Sequence, residues 1–105
     1  MKENKNDLEF EWDEEKNKAN KLKHDVSFEQ AATVFDDEYA VYAPDYEHSE
    51  YEERFIVIGL DVDTHELMVC YCYRGEDEDI IRIISARNAT KQEIKNYYAQ
   101  RRYYL

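Results

Sequence analysis

Two arginines near the end of this acidic sequence have the side-chain type and the spacing to hold an anionic group. Arg82 and Arg87 flank the apolar and hydroxyl residues of "RIISAR". A guanidinium stays charged, and its planar fork can hold two phosphate oxygens. Residues 1–79 contain 8 Lys and Arg against 24 Asp and Glu, whereas residues 80–105 contain 6 against 1. The pattern therefore predicts a local positive pocket on an otherwise negative molecule.

Composition limits the class of protein. The 105 residues, 43% of them apolar, are enough for one packed domain, and we expect a single domain over 1–105 with a flexible tail over 1–8. The net charge of −11 argues against nonspecific nucleic-acid binding by the chain as a whole. No apolar run reaches the roughly 18 residues of a spanning helix, and "MKENKNDLEF" lacks the apolar stretch of a secretory signal, so we expect a cytoplasmic protein.

Helix signals occur at both ends of the chain. Asp13 is the expected N-cap of a first helix that ends at "HD", and Ala19 and Leu22 mark its apolar stripe. The segment "SFEQAATVFDD" begins with a capping box and has apolar residues at helical spacing, which predicts a second helix. A capping box of Thr90 and Glu93 opens a closing helix, "KQEIKNYYAQRRYY", whose tyrosines are expected to pack on the sheet.

Between these helices the sequence favours strands. An extended piece ends at Trp12, and four strands are predicted in "EYAVYA", "RFIVIGLDV", "LMVCYCYR" and "IIRIISA". We expect an α+β domain with two N-terminal helices, an antiparallel β-meander of about four strands and a C-terminal helix. Arg82 and Arg87 are five residues apart and would face oppositely on a regular strand, so a turn or bulge near Ser85 is needed to bring Arg87 round.

Three segments carry a resemblance to a known family. In their order and spacing, "FEWDEEKNKANKLKHDVSFEQAATVFDD", "HSEYEERFIVIG" and "IRIISARNATKQEIKNY" resemble the BrnT family, from Phe10 to Tyr98. These are small ribonuclease toxins of type II toxin-antitoxin systems with a compact RelE-like fold. The resemblance implies RNA cleavage and inhibition of translation, neutralised by a BrnA-like ribbon-helix-helix antitoxin. DNA is then contacted only indirectly, through the antitoxin that represses the shared operon.

The resemblance also implies the site residues. Cleavage by the neighbouring 2′-hydroxyl requires a base, an acid, and cations for the charge of the phosphorane. Expected to act on the phosphate are Arg54, Arg82 and Arg87, with His24 or Glu53 moving protons. Expected to contact substrate are Arg74, Ser85 and Tyr73, the last by stacking on a base. No cofactor is expected.

Each of these residues has a structural alternative. The arginines can pair with nearby carboxylates, His24 can favour the negative end of a helix, and Glu53 can be a solvated charge. Tyr97 and Tyr98 are expected in the core rather than on RNA. Cys70 and Cys72 are expected as reduced thiols and, with two histidines, lack the paired spacing of a zinc site, so no metal is expected.

Two functions therefore remain open. The first is a metal-independent ribonuclease toxin, favoured by "RIISAR". The second is a noncatalytic protein-interaction module of the same fold, favoured by the net charge of −11. In either case the acidic body predicts an antitoxin with a basic toxin-binding segment.

Overall fold

A mixed β-sheet organises the fold. The structure, a computed structural model, describes residues 2–5 and 8–103, with side chains from residue 8 onward. The strands are β1 (Lys2–Lys5), β2 (Leu8–Glu11), β3 (Val41–Pro44), β4 (Phe55–Leu60), β5 (Glu66–Arg74) and β6 (Ile80–Asn88). They form a six-stranded sheet in the order β1-β2-β6-β5-β4-β3. The helices are α1 (Glu14–His24), α2 (Phe28–Ala32) and α3 (Lys91–Tyr103).

The predicted α+β class is confirmed, but the predicted layout is wrong in its sheet. Strands β3 to β6 run antiparallel in sequence order, whereas β2 adds to β6 in parallel, with Phe10 opposite Ile81. The sheet is therefore mixed and larger than a four-stranded meander. Lys2–Lys5, within the expected tail, pair with β2 as strand β1, and residues 1, 6 and 7 lie outside the described residues.

The helix predictions agree with the structure except at one boundary. Ser27 caps α2 by accepting a hydrogen bond from the Gln30 backbone N–H at 3.0 Å, but the α-helix ends at Ala32 and continues as a 3₁₀ turn over Thr33–Asp36. The closing helix α3 is confirmed as far as Tyr103, and the predicted last residue, Tyr104, lies outside the described residues.

The core lies between one sheet face and the helices α1 and α2. Strand residues alternate, so each strand contributes every second side chain to this face. Buried from β2, β4, β5 and β6 are Phe10, Val57, Leu67, Val69, Tyr71, Ile81, Ile83 and Ala86, and opposite them lie Trp12, Val26, Phe28, Ala31, Ala32 and Val34. Phe35 packs against this cluster, with its ring centroid 5.0 Å from that of Tyr71.

A bulge in β6 confirms the prediction made from the spacing of the arginines. Cys70 lies opposite Ser85, and the next residue, Tyr71, lies opposite Ile83, so Ile84 is the extra residue on β6. Without it, Arg82 and Arg87 would face oppositely. With it, both arginines lie on the sheet face away from the core.

The inward face of α1 is polar, which corrects the prediction of an apolar stripe. Leu22 is 90% exposed and Ala19 is exposed, while Asn17 and Asn20 are buried. Asn20 donates to the carbonyls of Val26 and Ala86, each at 2.8 Å, and accepts from the Ala86 N–H at 3.2 Å. This side chain therefore joins α1 to both the following loop and β6.

Asn17 extends the same polar contact to α2. Its Oδ1 accepts from the backbone N–H of Phe28 at 2.8 Å, and its Nδ2 donates to Glu29 Oε1 at 2.8 Å. The first N–H groups of a helix have no partner within the helix, so Asn17 satisfies one of them for α2. Helix α1 is therefore attached to α2 and β6 by hydrogen bonds of its two buried asparagines, and not by the predicted apolar stripe.

Substituting Asn20 tests this arrangement. Asn20→Ala leaves three buried backbone groups without their partner, and we expect the free energy of unfolding to fall by about 2–4 kcal/mol. Leu22→Ala, the matched control on the same helix, should change it by less than about 0.5 kcal/mol. Urea unfolding followed by circular dichroism measures both, and a larger loss from Leu22→Ala would contradict the observed packing.

Candidate phosphate-binding site

Three arginines gather on the sheet face away from the core. Arg74 ends β5, Arg82 lies within β6, and Arg54 immediately precedes β4. Cys72 lies opposite Arg82 in register, and its Sγ accepts a hydrogen bond from Arg74 Nη1 at 3.0 Å. We call Arg54, Arg74 and Arg82 the arginine cluster. The shared face and the register bring their side chains around one cysteine.

Glu52 bridges two members of the cluster. Its Oε2 lies 2.8 Å from Arg74 Nη1, and its Oε1 lies 3.5 Å from Arg54 Nε. The hydrogen bond from Arg74 lowers the pKa of Glu52 and raises that of Arg74. Arg54 Nε is buried and has an ion pair with Glu52 but no hydrogen bond within the described residues. Arg54 Nη2 donates a hydrogen bond to Glu52 Oε1 at 3.5 Å, so the hydrogen-bonding capacity left over is that of Nε.

Arg82 has a separate carboxylate partner. Glu11 lies opposite Arg82 in the parallel pairing of β2 with β6, and Arg82 Nη1 lies 3.1 Å from Glu11 Oε1. Both side chains keep contact with solvent, with relative exposures of 31% for Arg82 and 21% for Glu11. An anion from solution can therefore reach this guanidinium. The unpredicted parallel strand supplies the carboxylate.

An open hollow borders the cluster. Its volume is about 250 Å³, and its lining residues are Glu52, Glu53, Phe55, Tyr73, Arg74 and Glu78. Tyr73 is 40% exposed, and its ring packs 5.4 Å from that of Phe55. Three residues predicted from the sequence, Glu53, Tyr73 and Arg74, thus share one hollow.

Arg87 lies on the same face but outside the cluster. It is opposite Met68, four residues along β5 from Cys72, a separation of roughly 13 Å. Its guanidinium forms two hydrogen bonds with the carboxylate of Glu93, at 2.8 and 3.0 Å. Glu93 also accepts from the Thr90 N–H at 2.8 Å, which confirms the predicted capping box of α3. Arg87 therefore attaches α3 to the sheet, and Ser85 lies between it and the cluster.

His24 is not brought to the arginine cluster. It is the last residue of α1, one turn after Asn20, and α1 packs on the core side of the sheet. Asp25 follows it in the left-handed conformation, with φ of 58°, so the helix ends at the predicted residues. The histidine and the three arginines thus lie on opposite sides of the sheet.

Three residues of the site were missed by sequence reasoning. Glu11, Glu52 and Cys72 contact the arginines directly, but only strand register reveals it. Burial raises the pKa of the Cys72 thiol, with Arg74 acting in the opposite direction, and burial raises that of Cys70 to about 11. Alternation along β5 was the available signal, since it places Cys72 and Arg74 on one face.

The described residues offer no group of three or more His, Cys, Asp or Glu side chains placed to hold a metal ion. The most buried carboxylate, Asp61, has a structural role. Burial tends to raise its pKa, but hydrogen bonds from Gln30, His65 and Asp63 outweigh this and lower it. Asp61 thereby holds the turn between β4 and β5 against α2.

The fold and its arginine-lined face can be compared with known proteins. The chain matches the family model described as the ribonuclease toxin, BrnT, of type II toxin-antitoxin systems, over residues 12–93. This defines the class, a ribonuclease toxin of a toxin-antitoxin system. Because the match covers most of the chain, the chain belongs to the BrnT family.

The matched range runs from Trp12 into the first turn of α3 and so contains the whole arginine cluster. In a comparison with curated proteins, no sequence matched. Among the residues that the structure describes, no helix is long and apolar enough to cross a membrane.

The pair of Arg87 and Glu93 gives a pH-dependent prediction. The pKa of Glu93 is lowered, chiefly by the hydrogen bond from Arg87, so its stabilising contribution is present above about pH 4.5 and is lost as pH falls through the lowered value. We expect Glu93→Gln to reduce the free energy of unfolding by about 1–3 kcal/mol at pH 7 and by progressively less as the pH falls below 4.5. Urea unfolding across this range measures it.

Glu50→Gln is the matched control, because it makes the same charge change at an exposed position. Its effect should stay small at every pH. An equal effect of the two substitutions at pH 7 would show that Glu93 contributes only its charge, not the attachment of α3.

Proposed function

We propose that this chain is a metal-independent ribonuclease that binds the scissile phosphate of RNA at the arginine cluster. The family supplies the activity class, and the convergence of Arg54, Arg74 and Arg82 around Cys72 is the observation that carries the proposal. Guanidinium groups already positioned near the phosphate stabilise the charge that develops in the phosphorane. The 2′-hydroxyl of the substrate is the nucleophile, so the reaction needs no metal-activated water.

The carboxylates explain how such a site exists in an acidic protein. Glu52 and Glu11 hold the guanidiniums in place when no RNA is bound. A phosphate carries the same charge sign and comparable acceptor oxygens, so it can replace them on the exposed side of Arg74 and Arg82. Binding is then an exchange of anions, and its net strength is modest because the carboxylate pairs must be broken.

Glu53 is the better placed candidate for proton transfer. It lines the same hollow as Arg74 and Tyr73, whereas His24 lies across the sheet. In the proposal Glu53 takes the 2′-hydroxyl proton as the 2′-oxygen bonds to phosphorus, and the bond from phosphorus to the 5′-oxygen breaks as that oxygen takes a proton from solvent. The exposed ring of Tyr73 stacks on a base beside the cleaved bond. Arg87 acts indirectly, by fixing the start of α3. Ser85 offers a hydroxyl group between Arg87 and the arginine cluster.

The toxin class implies an antitoxin, and we assign it the chemistry that fits this surface. A BrnA-like ribbon-helix-helix protein with a basic toxin-binding segment is complementary to the acidic body. Cleavage of RNA in the cytoplasm would inhibit translation, and DNA would be contacted through the antitoxin. A compact RelE-like arrangement of sheet and helices is part of the same proposal.

A noncatalytic interaction module is the second candidate. The observation in its favour is that every arginine of the cluster already has a carboxylate partner. On this alternative the ion pairs only stabilise the sheet face, and the protein acts by binding a partner protein. RNA cleavage by the isolated chain separates the two.

Arg82 substitutions test the proposal. Purified protein free of antitoxin is incubated with RNA in the presence of EDTA, and we expect cleavage to persist. Arg82→Ala should reduce the rate about 100-fold or more, because one donor to the transition state is lost. Arg82→Lys keeps the charge but loses the fork and should retain an intermediate rate. Lys18→Ala, the control, removes an exposed cation outside the cluster and should cleave like the parent.

Several results would contradict the proposal. Unchanged cleavage by folded Arg82→Ala would remove the arginine cluster from the mechanism, and loss of cleavage in EDTA would exclude a metal-independent reaction. Cleavage of RNA with a 2′-deoxy sugar at the scissile position would exclude the 2′-hydroxyl as nucleophile. No cleavage by the parent protein would favour the interaction module.

A further inference from the structure

The outer surface of α3 carries a row of basic and aromatic side chains. Lys91, Lys95, Tyr98 and Arg102 stand at i, i+4, i+7 and i+11, so they share one helical face. All four are exposed, with Tyr98 at 38%. We call them the α3 stripe. Tyr98 was expected in the core, and its exposure corrects that prediction.

Contacts on a neighbouring face of α3 fix the orientation of the helix and so the direction of the stripe. Tyr97 is 1% exposed and donates its hydroxyl hydrogen to Asp37 Oδ2 at 2.6 Å. The Cζ atom of Arg101 lies over the ring of Tyr39, 4.8 Å from the ring centroid. These contacts hold one side of the helix against the domain, and the stripe therefore faces solvent as a fixed surface.

Among the residues that the structure describes, no carboxylate compensates the charge of the stripe. The one acidic residue in the sequence of α3, Glu93, is directed at Arg87. Within residues 8–103 the structure pairs none of Lys91, Lys95 and Arg102 with a carboxylate, unlike the arginine cluster. The stripe is thus a cationic surface that needs no exchange of partners to bind an anion.

We propose that the α3 stripe is a second RNA-binding surface, which holds single-stranded substrate flanking the scissile phosphate. The proposal rests on the ribonuclease function above. Lys and Arg side chains neutralise backbone phosphates without reading sequence, and the ring of Tyr98 offers a stacking face for one unpaired base. Tyr97 supports that ring in an edge contact, with centroids 5.0 Å apart.

The exposed ring of Tyr98 within the basic row favours RNA over an acidic protein segment, which has no base to stack on it, and the charge distribution directs a polyanion to this side. Residues 1–79 carry 24 acidic against 8 basic side chains and repel a polyanion over most of the surface. RNA then approaches productively along the side where residues 80–105 have 6 basic side chains and 1 acidic. The stripe runs for about 16 Å along the helix, enough for several nucleotides. The arginine cluster alone, occupied by carboxylates, gives little initial attraction.

Binding of a noncleavable RNA tests the stripe separately from catalysis. The probe is a fluorescent single-stranded oligonucleotide with 2′-O-methyl sugars, and its anisotropy is measured in a salt series. We expect Lys95→Glu/Arg102→Glu to weaken binding at least 10-fold and to flatten the salt slope by about 1.4, the value for two phosphate contacts on a single strand. Lys18→Glu/Lys21→Glu makes the same charge change on exposed positions of α1 and should weaken binding less than about 3-fold.

Two further variants identify the contacts. Lys95→Gln/Arg102→Gln removes positive charge without adding negative charge, so it should weaken RNA binding less than the double substitution to Glu. Tyr98→Ala should weaken binding about 5- to 100-fold with an unchanged salt slope, since a stacked base contributes without ion release. Cleavage of a dinucleotide, too short to reach α3 from the cluster, should be the same in the stripe variants as in the parent.

Other outcomes would overturn the proposal that the α3 stripe binds RNA, and they differ from the outcomes that would overturn the proposed ribonuclease function. Equal loss in the α1 control would reduce the effect to net charge, and unchanged binding in the α3 variants would place RNA elsewhere. Tighter binding of a polyglutamate peptide than of RNA would make the stripe a protein contact. If the parent protein cleaves no RNA yet binds the probe through α3, the proposed ribonuclease function is wrong and RNA binding by the α3 stripe is supported.

Discussion

The extra residue in β6 is the constraint on which the rest of this structure depends. Ile84 shifts the alternation of the strand once, so that Ile81, Ile83 and Ala86 all reach the core while Arg82, Ser85 and Arg87 all reach the other face. A regular strand that buried Ile81 and Ile83 would have turned Arg87 toward the core and Ala86 away from it. The same strand also receives β2 on one edge, Asn20 at its backbone, and α3 at its end.

Because β6 places arginines on the outer face, the acidic chain has to pair them with carboxylates. An acidic chain keeps guanidiniums on an open sheet face by placing a carboxylate beside each one, Glu11 for Arg82 and Glu52 for Arg54 and Arg74. The pairs are half-exposed, so their own contribution to stability is small. Under the proposed function, a phosphate that binds the cluster must replace one of these carboxylates. On that proposal, affinity for RNA depends on further contacts, which the cations of the α3 stripe can supply, since the described residues pair none of them with a carboxylate.

Local signals in the sequence predicted much of the fold, and nonlocal pairing explains the failures. Capping boxes and β-branched runs located α2, α3 and the strands β3 to β6, because these depend on neighbouring residues. The parallel addition of β2 to β6 joins segments about 70 residues apart, and no local pattern reports it. For α1 the search for apolar periodicity selected Leu22, whereas hydrogen bonding buries Asn17 and Asn20 instead.

The residue types of the candidate site were predictable, and their grouping was not. Arg54, Arg74 and Arg82 converge, but Arg87 and His24 do not, since strand register and the side of the sheet decide proximity. The most direct test is a structure of the protein with a noncleavable 2′-deoxy dinucleotide. The account predicts its phosphate between Arg74 and Arg82, with Glu52 or Glu11 turned away. A phosphate bound elsewhere, with both carboxylates still on their arginines, would contradict it.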